Sequence, residues 1–144
     1  MQQKMKVLVS DDNREFCSRV TQLLEQNGCE VIVAPKDGRQ VAALVLEHRP
    51  SAALMDVFMP GLDGIGVMKQ VKAAGNDQTV FMMMSSFDNP LLERELLSSG
   101  AHYYFLRPFD QEILVERMLQ IAGCAKKKEP AMEARGVQDL EMMV

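Results

Sequence analysis

Short apolar runs and helical patterns alternate along the chain. Lys6 to Ser10 (KVLVS) reads as a buried strand that Asp11 and Asp12 end. From Asn13 the period changes: Phe16, Val20, Leu23 and Leu24 fall on one face of a helix, which Gly28 closes. Glu30 to Ala34 is a second strand. Pro35 to Gly38 is a turn, and Arg39 to Glu47 is a helix with Val41, Leu44 and Val45 inward, stopped by Pro50. Ala52 to Val57 is a third strand, Gly61 to Gly64 a loop, Ile65 to Ala74 a third helix and Thr79 to Met84 a fourth strand. Asn89 is a favourable N-cap with Pro90 in the first helical position, which predicts a helix to Ser99 before Gly100. His102 to Leu106 is a fifth strand. Asp110 caps a fifth helix, with Phe109 and Leu114 placed as a hydrophobic staple and Ile113, Leu114, Met118 and Ile121 as its buried face.

Five strands alternating with five helices predict an α/β fold: a doubly wound, five-stranded parallel sheet. Strands that are apolar throughout suit a sheet covered on both faces. After Ala122 the pattern fails, so residues 123–144 read as a linker or disordered tail.

Composition narrows the classes. Sixteen Lys and Arg against twenty Asp and Glu give a net charge of −4, which argues against a nucleic-acid-binding module, usually basic. The longest apolar runs fall far short of the ~20 residues that span a bilayer. The start resembles no signal peptide, because Val7 to Val9 is followed by acids. Three widely spaced cysteines, Cys17, Cys29 and Cys124, offer neither a disulfide framework nor a zinc pair, which fits a reduced, cytoplasmic setting. Met82 to Met84 and the other methionines, twelve in all, read as core filling. His48 and His102 read as structural, and Lys126 to Lys128 as a solvated run.

In an open parallel sheet, functional groups gather beyond the carboxyl ends of the strands. Here those ends carry Asp11 and Asp12, Asp56, Ser85 and Arg107. If the first and third strands are neighbours, three carboxylates share one pocket. They stay ionised together only with a cation among them, and a hard divalent ion such as Mg²⁺ is the natural partner of oxygen ligands.

This set, with Asp56 to Gly64 (DVFMPGLDG) and Arg107-Pro108-Phe109, resembles the receiver domain of two-component response regulators over residues 4–122. Ser10 to Glu15 and Leu106 to Asp110 are similar to the receiver of the stage-zero sporulation transcription factor of spore-forming Firmicutes. The resemblance implies a flavodoxin-like strand order, 2-1-3-4-5, and a phosphorylation switch of a two-component system or phosphorelay. It implies Asp56 as acceptor of a phosphoryl group from a histidine kinase or phosphotransferase. Asp11, Asp12, Asp56 and the Phe58 backbone carbonyl would hold Mg²⁺, with Ca²⁺ or Mn²⁺ as substitutes. Ser85 would bond a phosphoryl oxygen, and Tyr104 would be the aromatic partner that moves with it. The family's bond at Arg107-Pro108 is usually cis, and the family often dimerises when phosphorylated, through the face of the fourth helix, fifth strand and fifth helix. A DNA-binding domain would lie outside this chain, and no membrane is implied.

The sequence departs from the family at Arg107, where the family has Lys. A planar fork can reach phosphoryl oxygens with two donors, or it can crowd Asp56 and leave a degenerate receiver that no longer accepts phosphate. A metal-dependent phosphatase or phosphotransferase of the same architecture is a further alternative. Such enzymes usually carry a second acid two residues after the nucleophile, where this chain has Phe58.

Overall fold

The computed structural model describes residues 4–126. The elements run β1 (Lys6–Ser10), α1 (Arg14–Gln26), β2 (Glu30–Ala34), α2 (Gly38–His48), β3 (Ala52–Asp56), α3 (Gly64–Ala73), β4 (Val80–Ser85), α4 (Pro90–Ser98), β5 (Ala101–Leu106) and α5 (Gln111–Lys126). The strands form one sheet in the order β2-β1-β3-β4-β5, every neighbouring pair parallel. The doubly wound fold with its flavodoxin-like order is therefore the one expected.

The sheet separates two cores. On one face, Val7, Val9, Leu54, Met82, Met84 and Phe105 pack with residues of α1 and α5. On the other, Leu8, Ala53, Met55 and Met83 pack with residues of α2, α3 and α4. Alternate side chains of β4 thus serve opposite cores, as the twofold strand period requires. Met82, Met83 and Met84 are all fully buried, each worth about 1.5–3 kcal/mol of burial. Unbranched thioethers fill such irregular space well.

Local signals explain the helix starts. The side chains of Asn13, Asp37, Asp63 and Asn89 each accept backbone N–H bonds at their helix N-termini, and Pro90 opens α4. Asp110 Oδ1 accepts from Glu112 and Ile113 N–H at 2.8 and 3.2 Å. The expected buried face of α5 needs correction. Ile113 is 57% exposed, and Val115 is buried in its place. The inward face of α5 is centred between Leu114, Met118 and Ala122, which turns Ile113 to the far side. Val33 is exposed because β2 is an edge strand, covered less completely than the centre.

The backbone of α5 continues to Lys126, beyond the expected boundary at Ala122. The rest of the proposed tail, 127–144, and the Lys126 to Lys128 run apart from the Lys126 backbone lie outside the described residues. The Arg107–Pro108 peptide bond is cis, as expected.

Candidate functional site

The five residues named from the sequence, at the ends of four strands, all reach one edge of the sheet. Register aligns them: Ser10 pairs with Met55, Asp56 with Met84, and Ser85 with Leu106. Asp11 and Arg107 directly follow β1 and β5 and Asp56 ends β3, so all three lie at the carboxyl edge of the sheet. They line an open cleft of about 630 Å³ together with Asp12, Lys36, Phe58 and Phe87.

Asp56 lies at the floor of this cleft, 6% exposed. Its Oδ1 accepts the Phe58 backbone N–H at 3.0 Å. Its Oδ2 faces two cations: Arg107 Nη1 donates to it at 2.8 Å, and Lys36 Nζ lies 3.7 Å away. The second arm of the fork, Arg107 Nη2, donates to Asp11 Oδ2 at 2.9 Å. Asp11 Oδ1 accepts the Asn13 N–H at 2.9 Å, so it also shapes the entry to α1. Asp12 stands at the rim, exposed.

Ser85 is buried at the end of β4, and its Oγ accepts the Phe87 N–H at 2.9 Å. Its carbonyl accepts the Arg107 N–H at 2.9 Å, which ties the two strand ends together. Tyr104 points to the α4 face, where its ring is partly buried. Its hydroxyl donates to the Phe87 carbonyl. Phe58 and Phe87, both largely exposed, meet edge to face across the cleft mouth at 5.4 Å between centroids.

Among the described residues no group of three His, Cys, Asp or Glu is arranged to hold a metal ion. The oxygen donors that Mg²⁺ prefers are present. However, the facing oxygens of Asp11 and Asp56 are both taken by one guanidinium. In this arrangement the residues do not fit a divalent cation.

A model of the response regulator receiver domain matches residues 7–119. The chain belongs to the response regulator receiver family. Among solved structures, the receiver superposes on the signal receiver domain of the putative response regulator NarL from Mycobacterium tuberculosis. That match has 28% identity and a TM-score of 0.76, covering 85% of this chain and 98% of the other. It is also similar to chemotaxis response regulator CheY4 of Vibrio cholerae, at 28% identity and TM-score 0.74, covering 83% and 99%. A DNA-binding response regulator of the LuxR family from Staphylococcus aureus, 19% identical with TM-score 0.73 and 82% and 98% coverage, shares the fold. Receiver domains act as signalling switches rather than conventional enzymes.

Two residues of the cleft were not singled out from sequence. Lys36 sits in the turn directly after β2, so the strand-end rule applied to β2 as well would have found it. Phe87 carries no chemical signal, because its two bonds to Ser85 and Tyr104 are made by its backbone. His102 Nδ1 accepts the Phe81 N–H at 3.3 Å, in line with its structural reading. Cys17 Sγ donates to the Asp11 carbonyl at 3.5 Å. Burial, and then the negative charge of Asp11, push that thiol above its usual range. Burial does the same to Cys29. No described helix is long and apolar enough to cross a membrane.

Proposed function

We propose that this receiver is a phosphoacceptor switch in which Asp56 takes a phosphoryl group from a histidine kinase or phosphotransferase. The observation that carries the reading is the environment of the Asp56 carboxylate. It is buried at the base of a cleft open to a donor, with one oxygen held by a backbone N–H and the other facing Arg107 and Lys36. As the bond from Asp56 oxygen to phosphorus forms, the bond from phosphorus to the donor's nitrogen breaks. Phosphoryl transfer asks mainly for positioning and charge neutralisation, and two cations already converge on that oxygen.

An acyl phosphate would add about −1.5 to −2 charge at neutral pH. Ser85 follows Met84, the β4 partner of Asp56, and its Oγ donating to the new oxygens would disturb its bond from Phe87. Phe87 in turn holds Tyr104, so the exposed face of α4, β5 and α5 would change with loading. Self-association through that face is the output we infer. Asp11, Asp12, Asp56 and the Phe58 carbonyl remain the ligand set proposed for Mg²⁺, Ca²⁺ or Mn²⁺, reached only after Arg107 moves.

A finer reading places the chain as the receiver of a sporulation transcription factor, cytoplasmic, with DNA binding by a domain outside it. That reading rests on the short stretches Ser10 to Glu15 and Leu106 to Asp110. A degenerate receiver is the second reading, favoured by one observation: the Arg107 fork already occupies Asp56 Oδ2 and holds it to Asp11. Incubation with acetyl phosphate, followed by intact mass, separates the two. The switch gains one phosphoryl group, which Asp56→Asn does not. The degenerate receiver gains none until Arg107→Lys is introduced.

A further inference from the structure

A single guanidinium bridges two carboxylates of the acid cleft. Arg107 Nη1 and Nη2 reach Asp56 Oδ2 and Asp11 Oδ2 at 2.8 and 2.9 Å. The other oxygens of the same carboxylates are also taken, by the Phe58 and Asn13 backbone N–H groups. All four oxygens of Asp11 and Asp56 therefore already have a donor. Lys36 adds a second positive charge 3.7 Å from Asp56 Oδ2. An approaching cation meets three carboxylates already offset by two cations, a local charge of −1 rather than −3.

The seat of Arg107 is built rather than incidental. Its backbone N–H is fixed to the Ser85 carbonyl at 2.9 Å. Its guanidinium lies 6.0 Å from the centroid of the Phe109 ring, and Nη2 approaches Met84 Sδ at 3.8 Å. The side chain is 29% exposed and those of Asp11 and Asp56 are 6% and 8% exposed, so solvent screens the pairs little. Bridging two acids in this way requires a fork. A lysine ammonium at the end of a flexible stem is a point charge without that planar geometry. Mg²⁺ binds oxygen at about 2.0–2.1 Å in near-octahedral geometry, which leaves no place for it between oxygens that the fork already spans.

We propose that Arg107 is a built-in competitor of the divalent cation. Its seat between Asp11 and Asp56 closes the acid cleft to metal in the unmodified protein, and metal binding and Arg107 seating exclude one another. The proposal rests on Asp11, Asp12 and Asp56 being the receiver's acid site, but not on Asp56 accepting phosphate.

The test is titration of the full 144-residue chain with MnCl₂, reading free Mn²⁺ by electron paramagnetic resonance. Arg107→Ala and Arg107→Lys should each bind Mn²⁺ about tenfold or more tightly than the unaltered chain, a coupling of ordinary size. Adding Asp56→Asn to Arg107→Lys should cancel the gain and so locate it in the acid cleft. Binding by both single variants within twofold of the unaltered chain would overturn the proposal, as would a gain that survives Asp56→Asn. If Arg107→Ala does not fold, the charge-retaining Arg107→Lys decides alone. No phosphorylation enters the readout. A chain that never loads can still show the competition, and a chain without competition can still load.

Discussion

The hydroxyls of Ser85 and Tyr104 do not bond each other; both bond the backbone of Phe87, one to its N–H and the other to its carbonyl. A buried residue at the strand end next to Asp56 and a half-buried residue on the α4 face are thus joined through one peptide segment. Movement of Ser85 toward a phosphoryl oxygen would be felt at Tyr104 without any rearrangement of the sheet.

That relay yields the first prediction. Ser85→Ala removes the acceptor for Phe87 N–H, and Tyr104→Phe removes the donor to its carbonyl. Each variant should still take up phosphate at Asp56 but lose most of the self-association that loading produces. Sedimentation velocity with and without beryllofluoride measures this. Equal dimerisation of Tyr104→Phe and the unaltered chain would remove Tyr104 from the output.

The second prediction concerns the edge-to-face pair of Phe58 and Phe87 at the cleft mouth. Water attacking an acyl phosphate on Asp56 would approach through the cleft mouth, beside these rings. Phe58→Ala should shorten the lifetime of the phosphorylated state several-fold, since water exclusion protects reactive intermediates. Decay of the loaded mass with time provides the readout, and an unchanged lifetime would show that the rings shield nothing.

Packing supplies the third prediction. A Cβ added at Gly38 would lie 1.8 Å from the Leu62 carbonyl oxygen, a backbone atom that cannot swing away. Gly38→Ala should cost about 2 kcal/mol or more and lower the Tm by several degrees. Gly123 in α5 has nothing within 4 Å of such an atom. Gly123→Ala should be neutral, or stabilise by about 0.5–1 kcal/mol through helix propensity. Thermal unfolding of the two variants checks both.

Thiol chemistry gives the fourth. Because burial raises both thiols, Cys17 and Cys29 carry less thiolate at a given pH than a free cysteine. For Cys17 the Asp11 charge acts in the same direction. Both should alkylate with iodoacetamide more slowly than glutathione at mildly alkaline pH in the folded protein. Peptide mass spectrometry gives the rates separately for each site.

Much of this was legible in the sequence, for identifiable reasons. Strand ends are marked where apolar runs meet Asp, Ser or Arg, and the parallel topology brings those ends to one edge, so Asp11, Asp56, Ser85 and Arg107 could be grouped before any coordinates. Asn89 and Pro90 fixed the start of α4 through local hydrogen bonding and backbone restriction. Ile113 falls outside the buried face because the three-residue apolar run Ile113-Leu114-Val115 is compatible with more than one helix face, and the true face depends on Val115 and Ala122. The Arg107 bridge was beyond reach. Charge and spacing place Arg107 near the acids, but which oxygens its fork spans depends on side-chain geometry. The role of Phe87 was hidden for a related reason: it acts through its backbone.

The central claim is that Asp56 forms an acyl phosphate, and the most direct test is to find the bond itself. The chain is incubated with acetyl phosphate and MgCl₂, treated with borohydride, which reduces an acyl phosphate to the alcohol, and mapped by peptide mass spectrometry. The account predicts homoserine at position 56 and unmodified aspartate at positions 11 and 12. Unmodified Asp56, or reduction at another acid instead, would contradict it.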